Sequence, residues 1–124
     1  MIVGTGVDII EIDRIRKSIE KFGDRFLNKI YTKTEIEYCS SKADKYRRFA
    51  ARFAIKEAVY KAVMKYDPTI AWRDISVQND SDGAPTLEEL SKITAIREMG
   101  IRIHISLSHC NNHAVATAIA EIES

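Results

Sequence analysis

The sequence predicts an α+β fold, with helices packed on a mainly antiparallel β-sheet, and three observations lead there. Two runs near the C-terminus, IRIHISLSH (101–109) and HAVATAIAEI (113–122), alternate apolar and polar residues across a Cys-Asn-Asn link, the pattern of an antiparallel hairpin. Near the N-terminus, Ile12, Ile15, Ile19 and Phe22 recur at helical spacing, and Gly23 stands where a helix C-terminus favours positive φ. A longer helical stretch, roughly 44–65, runs until Pro68. With 124 residues and no internal repeat, low-complexity tract or Pro/Ser-rich linker, the chain is expected to form one domain over 1–124.

Taken in order, residues 2–8 read as a short buried strand and 11–22 as an amphipathic helix ended by Gly23. A short helix follows over 24–30. Thr34 with Glu37 suits a capping box that would open a third helix. After the long helix, 72–79 reads as a strand and SDGAP (81–85) as a turn, since Asp-Gly tolerates positive φ and Pro fixes the next bend. Leu87 to Met99 is helical in character and Gly100 closes it, while Asn111 and Asn112 suit the hairpin turn.

Composition excludes several classes of function. With 45% hydrophobic and 30% charged residues the chain is neither disordered nor fibrous. A net charge of +1 argues against nucleic-acid binding, which leaves a strong basic excess. Cys39 and Cys110 match neither a disulfide framework nor a CxxC zinc site, which suggests a reducing, cytoplasmic setting. MIVGTGVDII lacks a basic n-region and meets Asp8 and Glu11 too early for a signal peptide or membrane span. His104 and His113 belong to no Cys/His cluster, so no zinc site is expected.

The long helix carries the chemistry. At about 100° per residue, Lys45, Arg48, Arg52 and Lys56 form a basic stripe. Ala51, Ile55, Ala58, Val59 and Ala62 form one apolar face, and Tyr46, Phe49, Phe53, Tyr60 and Met64 an aromatic one. Glu57 and Lys61 fall between these faces. They suit a surface i,i+4 ion pair, or a carboxylate and an ammonium facing a cleft. Asp8 ends an apolar strand, where it suits a helix N-cap or a paired or metal-bound carboxylate. Asp8 and Glu57 together offer two hard oxygen ligands of the kind Mg2+ takes beside water and phosphate.

GVDIIEIDRI (6–15), ARFAIKEAVYKA (51–62), GAP (83–85) and SLSH (106–109) together resemble the holo-acyl-carrier-protein synthases, small 4′-phosphopantetheinyl transferases. The resemblance covers nearly the whole chain and implies that fold. It also implies transfer of phosphopantetheine from coenzyme A to a serine of apo-acyl carrier protein, releasing adenosine 3′,5′-bisphosphate. Through it, Asp8 and Glu57 match the Mg2+ ligands and Lys61 the lysine on the diphosphate. Glu57 or a water on the metal would take the serine proton. Arg52 matches an arginine near the nucleotide, with Arg48 or Arg47 assisting at its 3′-phosphate, where a guanidinium fork donates two hydrogen bonds. Gly83 and Pro85 match the turn that lies against the nucleotide, and His109 a coenzyme A contact.

The basic run Arg14, Arg16, Lys17, Lys21 and Arg25 complements the acidic helix of a carrier protein; a solvated helix face is the plainer reading of the same pattern. The family's homotrimers bind coenzyme A between subunits. The chain departs from the family at Ala51 and around Met64, where glycine is common. A non-catalytic module that binds nucleotides or acidic proteins is the alternative, but it would not need Asp8, Glu57 and Lys61 together.

Overall fold

The computed structural model describes residues 1–123; Ser124, the last residue of the span expected as one domain, lies outside them. The elements run β1 (Ile2–Glu11), α1 (Ile12–Phe22), α2 (Asp24–Ile30), α3 (Lys33–Ser40), α4 (Lys45–Val63), a 3-10 turn (Trp72–Asp74), β2 (Val77–Asn79), β3 (Pro85–Leu87), α5 (Ser91–Glu98), β4 (Ile101–His109) and β5 (His113–Ile122). β1, β5 and β4 form an antiparallel sheet in that order, and β2 with β3 makes a separate two-stranded ribbon. The α+β class, the terminal hairpin and the first two helices are as expected.

Small residues set the spacing between α4 and the sheet. The inward positions of β5 are Ala114, Ala116, Ala118 and Ala120, all buried, so that strand presents a shallow surface. On β1, a Cβ at Gly4 would run into the Ala62 carbonyl oxygen, and one at Gly6 into that of Ala58. The strand therefore lies directly on the helix backbone, closer than any larger residue permits. Ile55, Val59 and Val63 of α4 pack with Ile75, Ile93 and Ile96 in one core that also takes in Ala116, Ala118 and Ala120 of β5. Tyr31, Phe49 and Ile15 form a second cluster at the N-terminal end of α4.

Several local readings differ from the structure. β1 continues to Glu11 and buries only one face: Val7 and Ile9 are 57% and 65% exposed. The capping box is Thr32 with Glu35, two residues earlier than Thr34 with Glu37, and Glu35 is buried where Glu37 is exposed. The 72–79 strand begins only at Val77, because Asp74 bonds back to the Ala71 N–H and turns the preceding residues into 3-10 geometry. The helix expected from Leu87 starts at Ser91, since Pro85–Leu87 pairs with β2. The hairpin turn at Asn111 and Asn112 forms without positive φ, and the Asn112 carbonyl accepts the Ile12 N–H at the start of α1.

Candidate active site

Strand alternation sends Gly4, Gly6, Asp8 and Ile10 toward α4. Because the two glycines bring β1 onto the helix, the Asp8 side chain reaches the polar strip of α4. Its Oδ1 lies 3.5 Å from Lys61 Nζ, which also donates to the Val7 carbonyl at 2.8 Å. Asp8 thus stands in mid-strand and is no N-cap; α1 begins after Glu11 without a side-chain cap. The surface pair between Glu57 and Lys61 does not form among the described residues: Lys61 pairs with Asp8, and Glu57 Oε1 accepts the indole N–H of Trp72 at 2.6 Å.

Burial holds the Asp8 carboxyl above the usual carboxylate range; the Lys61 ammonium offsets part of this, and the nearby Glu57 carboxylate adds to it. Asp8 Oδ2 is buried with no hydrogen-bond partner. An orphaned carboxylate oxygen beside a second carboxylate is a poor arrangement alone and a good one for a hard divalent cation.

The basic stripe of α4 runs from an exposed Lys45 to a buried Arg52 and Lys56. Lys56 is fully buried, donating to Glu35 Oε1 at 2.6 Å, to the Trp72 carbonyl at 3.0 Å and to the Ile75 carbonyl. Arg52 is 5% exposed, with its guanidinium 4.8 Å from the centre of the Tyr38 ring. It donates to Asn79 Oδ1 at 2.8 Å, and Asn79 Nδ2 donates to the Gly83 carbonyl at 3.0 Å. Gly83 has φ 85°, as the Asp80–Ala84 turn requires, so the arginine is tied to the tip that carries Gly83 and Pro85. Arg52 Nε is buried without a partner.

A third group lies at the start of α4. Asp44 accepts from Arg47 and, at 2.7 Å, from Arg48, whose other end donates to the Tyr38 hydroxyl at 3.0 Å. Arg47 Nη1 is 2.8 Å from His109 Nε2, so Arg47 and not Arg48 is the partner of the predicted histidine. Together with Ile12 and Asn111, the Asp44, Arg47 and His109 side chains face an open concavity.

The expected docking run divides in two. Arg16 and Lys17 pair with Asp13 on α1, whereas Arg14, Lys21 and Arg25 have no acidic partner among the described residues and are exposed. Phe22, 49% exposed, borders Arg25, Phe26 and Lys29. Cys39 is packed inside, where burial pushes its thiol up to about 11 and leaves it neutral; Cys110 is exposed and free.

Sequence reasoning did not single out Trp72, Asn79, Asp44 or Tyr38. Asn79 and Asp44 each sit next to a recognised segment, the turn and the helix start. Trp72 and Tyr38 carried no signal beyond being aromatic.

The family model described as the 4′-phosphopantetheinyl transferase superfamily matches residues 4–118. The chain belongs to that superfamily. It is 47% identical over 124 residues to the holo-[acyl-carrier-protein] synthase of Koribacter versatilis, covering 98% of this chain and 99% of that one. Among solved structures, the holo-(acyl-carrier-protein) synthase of Bacillus anthracis in complex with CoA (3′,5′-ADP) superposes with a TM-score of 0.79 at 34% identity, covering 99% of each chain. The Helicobacter pylori holo-[acyl-carrier-protein] synthase in complex with coenzyme A gives 0.80 at 30% identity, over 94% of this chain and 99% of that one. The phosphopantetheinyl transferase fold expected from the motifs is the fold observed.

Proposed function

We propose that Asp8, Glu57 and Lys61 are the reaction centre with which this holo-acyl-carrier-protein synthase moves the 4′-phosphopantetheine group of coenzyme A onto a serine of apo-acyl carrier protein, releasing adenosine 3′,5′-bisphosphate. The observation that carries the assignment is the convergence of the three side chains where β1 meets α4, with Asp8 Oδ2 buried and unpartnered. Asp8 and Glu57 would hold Mg2+, which would supply positive charge against the diphosphate as its P–O–P linkage breaks and adenosine 3′,5′-bisphosphate leaves. Lys61 adds a fixed positive charge at the same place, already anchored on the Val7 carbonyl.

Arg52 binds the nucleotide end, with one guanidinium nitrogen held by Asn79 and Nε left for a phosphate. Gly83 and Pro85 flank the nucleotide on the tethered turn, and His109, braced by Arg47, supports coenzyme A with Arg48 nearby. Arg14, Lys21 and Arg25, beside the exposed Phe22, dock the acidic carrier, with Arg16 and Lys17 contributing less because Asp13 already neutralises them.

The outer face of the sheet supports a homotrimer. Val7, Ile9 and Ile119 are 57%, 65% and 39% exposed on one face of β1 and β5, an apolar patch suited to burial between subunits. We take residues 1–124 as one transferase domain acting in the cytoplasm, a setting that suits two free thiols; no described helix is long and apolar enough to cross a membrane.

Incubating the protein with coenzyme A, Mg2+ and a panel of apo-acyl carrier proteins tests this reading. The carrier serine should gain the mass of one phosphopantetheine group, and E57Q and D8N should abolish the gain while remaining folded. Full activity in either variant would remove that residue from the centre. A non-catalytic module would bind 3′,5′-ADP and modify no carrier.

A further inference from the structure

Trp72 is gripped by two consecutive residues of α4. Its carbonyl accepts Lys56 Nζ at 3.0 Å, and its indole N–H donates to Glu57 Oε1 at 2.6 Å. The ring leans on Phe53, with centroids 6.3 Å apart and planes at 32°. Lys56 is itself immobilised by Glu35, so the backbone of the 3-10 turn and the end of the indole are fixed to the same helix. Beside them lies a 360 Å³ cleft lined by Glu57, Tyr60, Ile70 and Trp72, open enough to admit solvent.

A half-exposed glutamate ordinarily samples several rotamers, and its terminal torsion is broad. Here one carboxylate oxygen is already engaged by a donor whose own position is fixed at both ends. A short charge-assisted bond of this kind selects one carboxylate orientation and leaves the second oxygen for another partner.

We infer that Trp72 is the positioning residue for the Glu57 carboxylate, holding Oε1 so that the group presents a single oxygen to the divalent cation. This rests on the reading of Glu57 as a cation ligand. A donor to the far side of a ligating carboxylate typically changes metal affinity by about 10–100-fold when removed. Trp72 touches neither coenzyme A nor the cation in this scheme; it acts through Glu57.

The test is Mn2+ binding, used as a visible substitute for Mg2+ and followed by electron paramagnetic resonance of the free ion with 3′,5′-ADP present. W72F keeps a ring against Phe53 and removes the indole donor together with one ring of the indole. Its Mn2+ affinity should fall about tenfold or more, with the melting temperature within a few degrees of the parent. E57Q should weaken binding as well, and W72F in the E57Q background should add nothing. Parental Mn2+ affinity in folded W72F, with E57Q weakened, overturns the inference and leaves the Glu57 assignment standing. Parental affinity in E57Q removes the assignment and the inference with it.

A second measurement needs no Trp72 variant. The chain has 1 tryptophan, so fluorescence excited selectively in the indole band reports on the surroundings of Trp72, the Glu57 carboxylate among them. Mn2+ should change the emission with the same midpoint as its binding followed by electron paramagnetic resonance, and E57Q should abolish the change. A metal-induced change in emission that persists undiminished in E57Q overturns the inference, since the indole would then sense the cation by a route other than Glu57.

Discussion

Lys56 Nζ stands 2.6 Å from Glu35 Oε1, and neither side chain reaches solvent. Burial pushes the Lys56 ammonium below its ordinary range, with Glu35 acting against that. The carboxylate is further held by the Val77 N–H at 2.9 Å and the Thr32 N–H at 2.9 Å. The network ties α3, α4 and the start of β2 into one unit. Replacing one partner leaves the other charge buried and unpaired, which costs about 3–5 kcal/mol. K56M should lose stability in that range by urea denaturation. Adding E35Q to K56M should recover part of the loss, because the stranded charge is then gone; strict additivity of the two would argue against a coupled pair.

Asp8 opposes the fold that contains it. Its carboxylate is mostly buried, one oxygen has no partner, and its pairing with the exposed Lys61 is worth about 1 kcal/mol or less. D8N keeps the shape and removes the charge, so at neutral pH in EDTA it should melt no lower than the parent while losing turnover. Mg2+ with 3′,5′-ADP should raise the melting temperature of the parent and leave D8N near its metal-free value, since only a state that binds is stabilised. A large drop in D8N stability without metal would mean that Asp8 serves the fold.

Much of this was legible in the sequence, and the reasons differ from residue to residue. The hairpin shows because β4 and β5 bury one face each, so alternation survives in the residues; α1 shows for the same reason in helical period. Asp8, Glu57 and Lys61 were visible as charges in apolar surroundings and were given roles by the family motif. The capping box was misplaced because Thr32–Glu35 and Thr34–Glu37 have the same spacing, and only tertiary burial of Glu35 against Lys56 decides between them. The burial of Lys56 at the end of the basic stripe is not legible, because periodicity does not reveal that Glu35 arrives from another helix to pair with it. Trp72 escaped notice because its bond to Glu57 spans fifteen positions through an irregular turn.

Gly6 brings strand and helix together, and it should tolerate nothing larger. An added Cβ would meet the Ala58 carbonyl, a backbone atom that cannot move aside as a side chain would. G6A therefore forces β1 away from α4, drawing Asp8 off Lys61 and Glu57. We expect a stability loss of about 1–3 kcal/mol or more together with lost turnover. Gly23 is the control: it has φ 56° and ψ −131° with nothing within 4 Å, so G23A carries only a backbone penalty of about 1–3 kcal/mol and should stay active. Equal effects of the two on activity would refute the spacing argument.

Asn79 should matter to nucleotide binding although it carries no charge. It accepts from Arg52 and donates to the Gly83 carbonyl, linking the arginine to the turn. Hydrogen bonds to charged groups are worth about 1.5–3 kcal/mol, so N79A should weaken 3′,5′-ADP binding by about tenfold or more in calorimetry. R52K should weaken it further, because an ammonium cannot donate to Asn79 and a phosphate through one planar fork. Unchanged binding in N79A would show that Tyr38 alone positions the guanidinium.

Asp44 supplies a dependence on acid that can be measured apart from catalysis. Hydrogen bonds from Arg48 and then Arg47 hold its carboxyl at about 2, below the ordinary 3.8. A carboxylate depressed by folding stabilises the native state above its unfolded value, and that contribution is lost as pH falls from 3.8 toward 2. Because the pair is solvent-accessible, screening reduces the effect to about 1 kcal/mol or less, and salt should diminish it further. Urea titrations of the parent and D44N across this acid range should therefore converge as pH falls, with the parent the more stable only at the upper end. A gap that stays undiminished from pH 3.8 down to 2 would assign the role of Asp44 to packing at the start of α4 rather than to its charge.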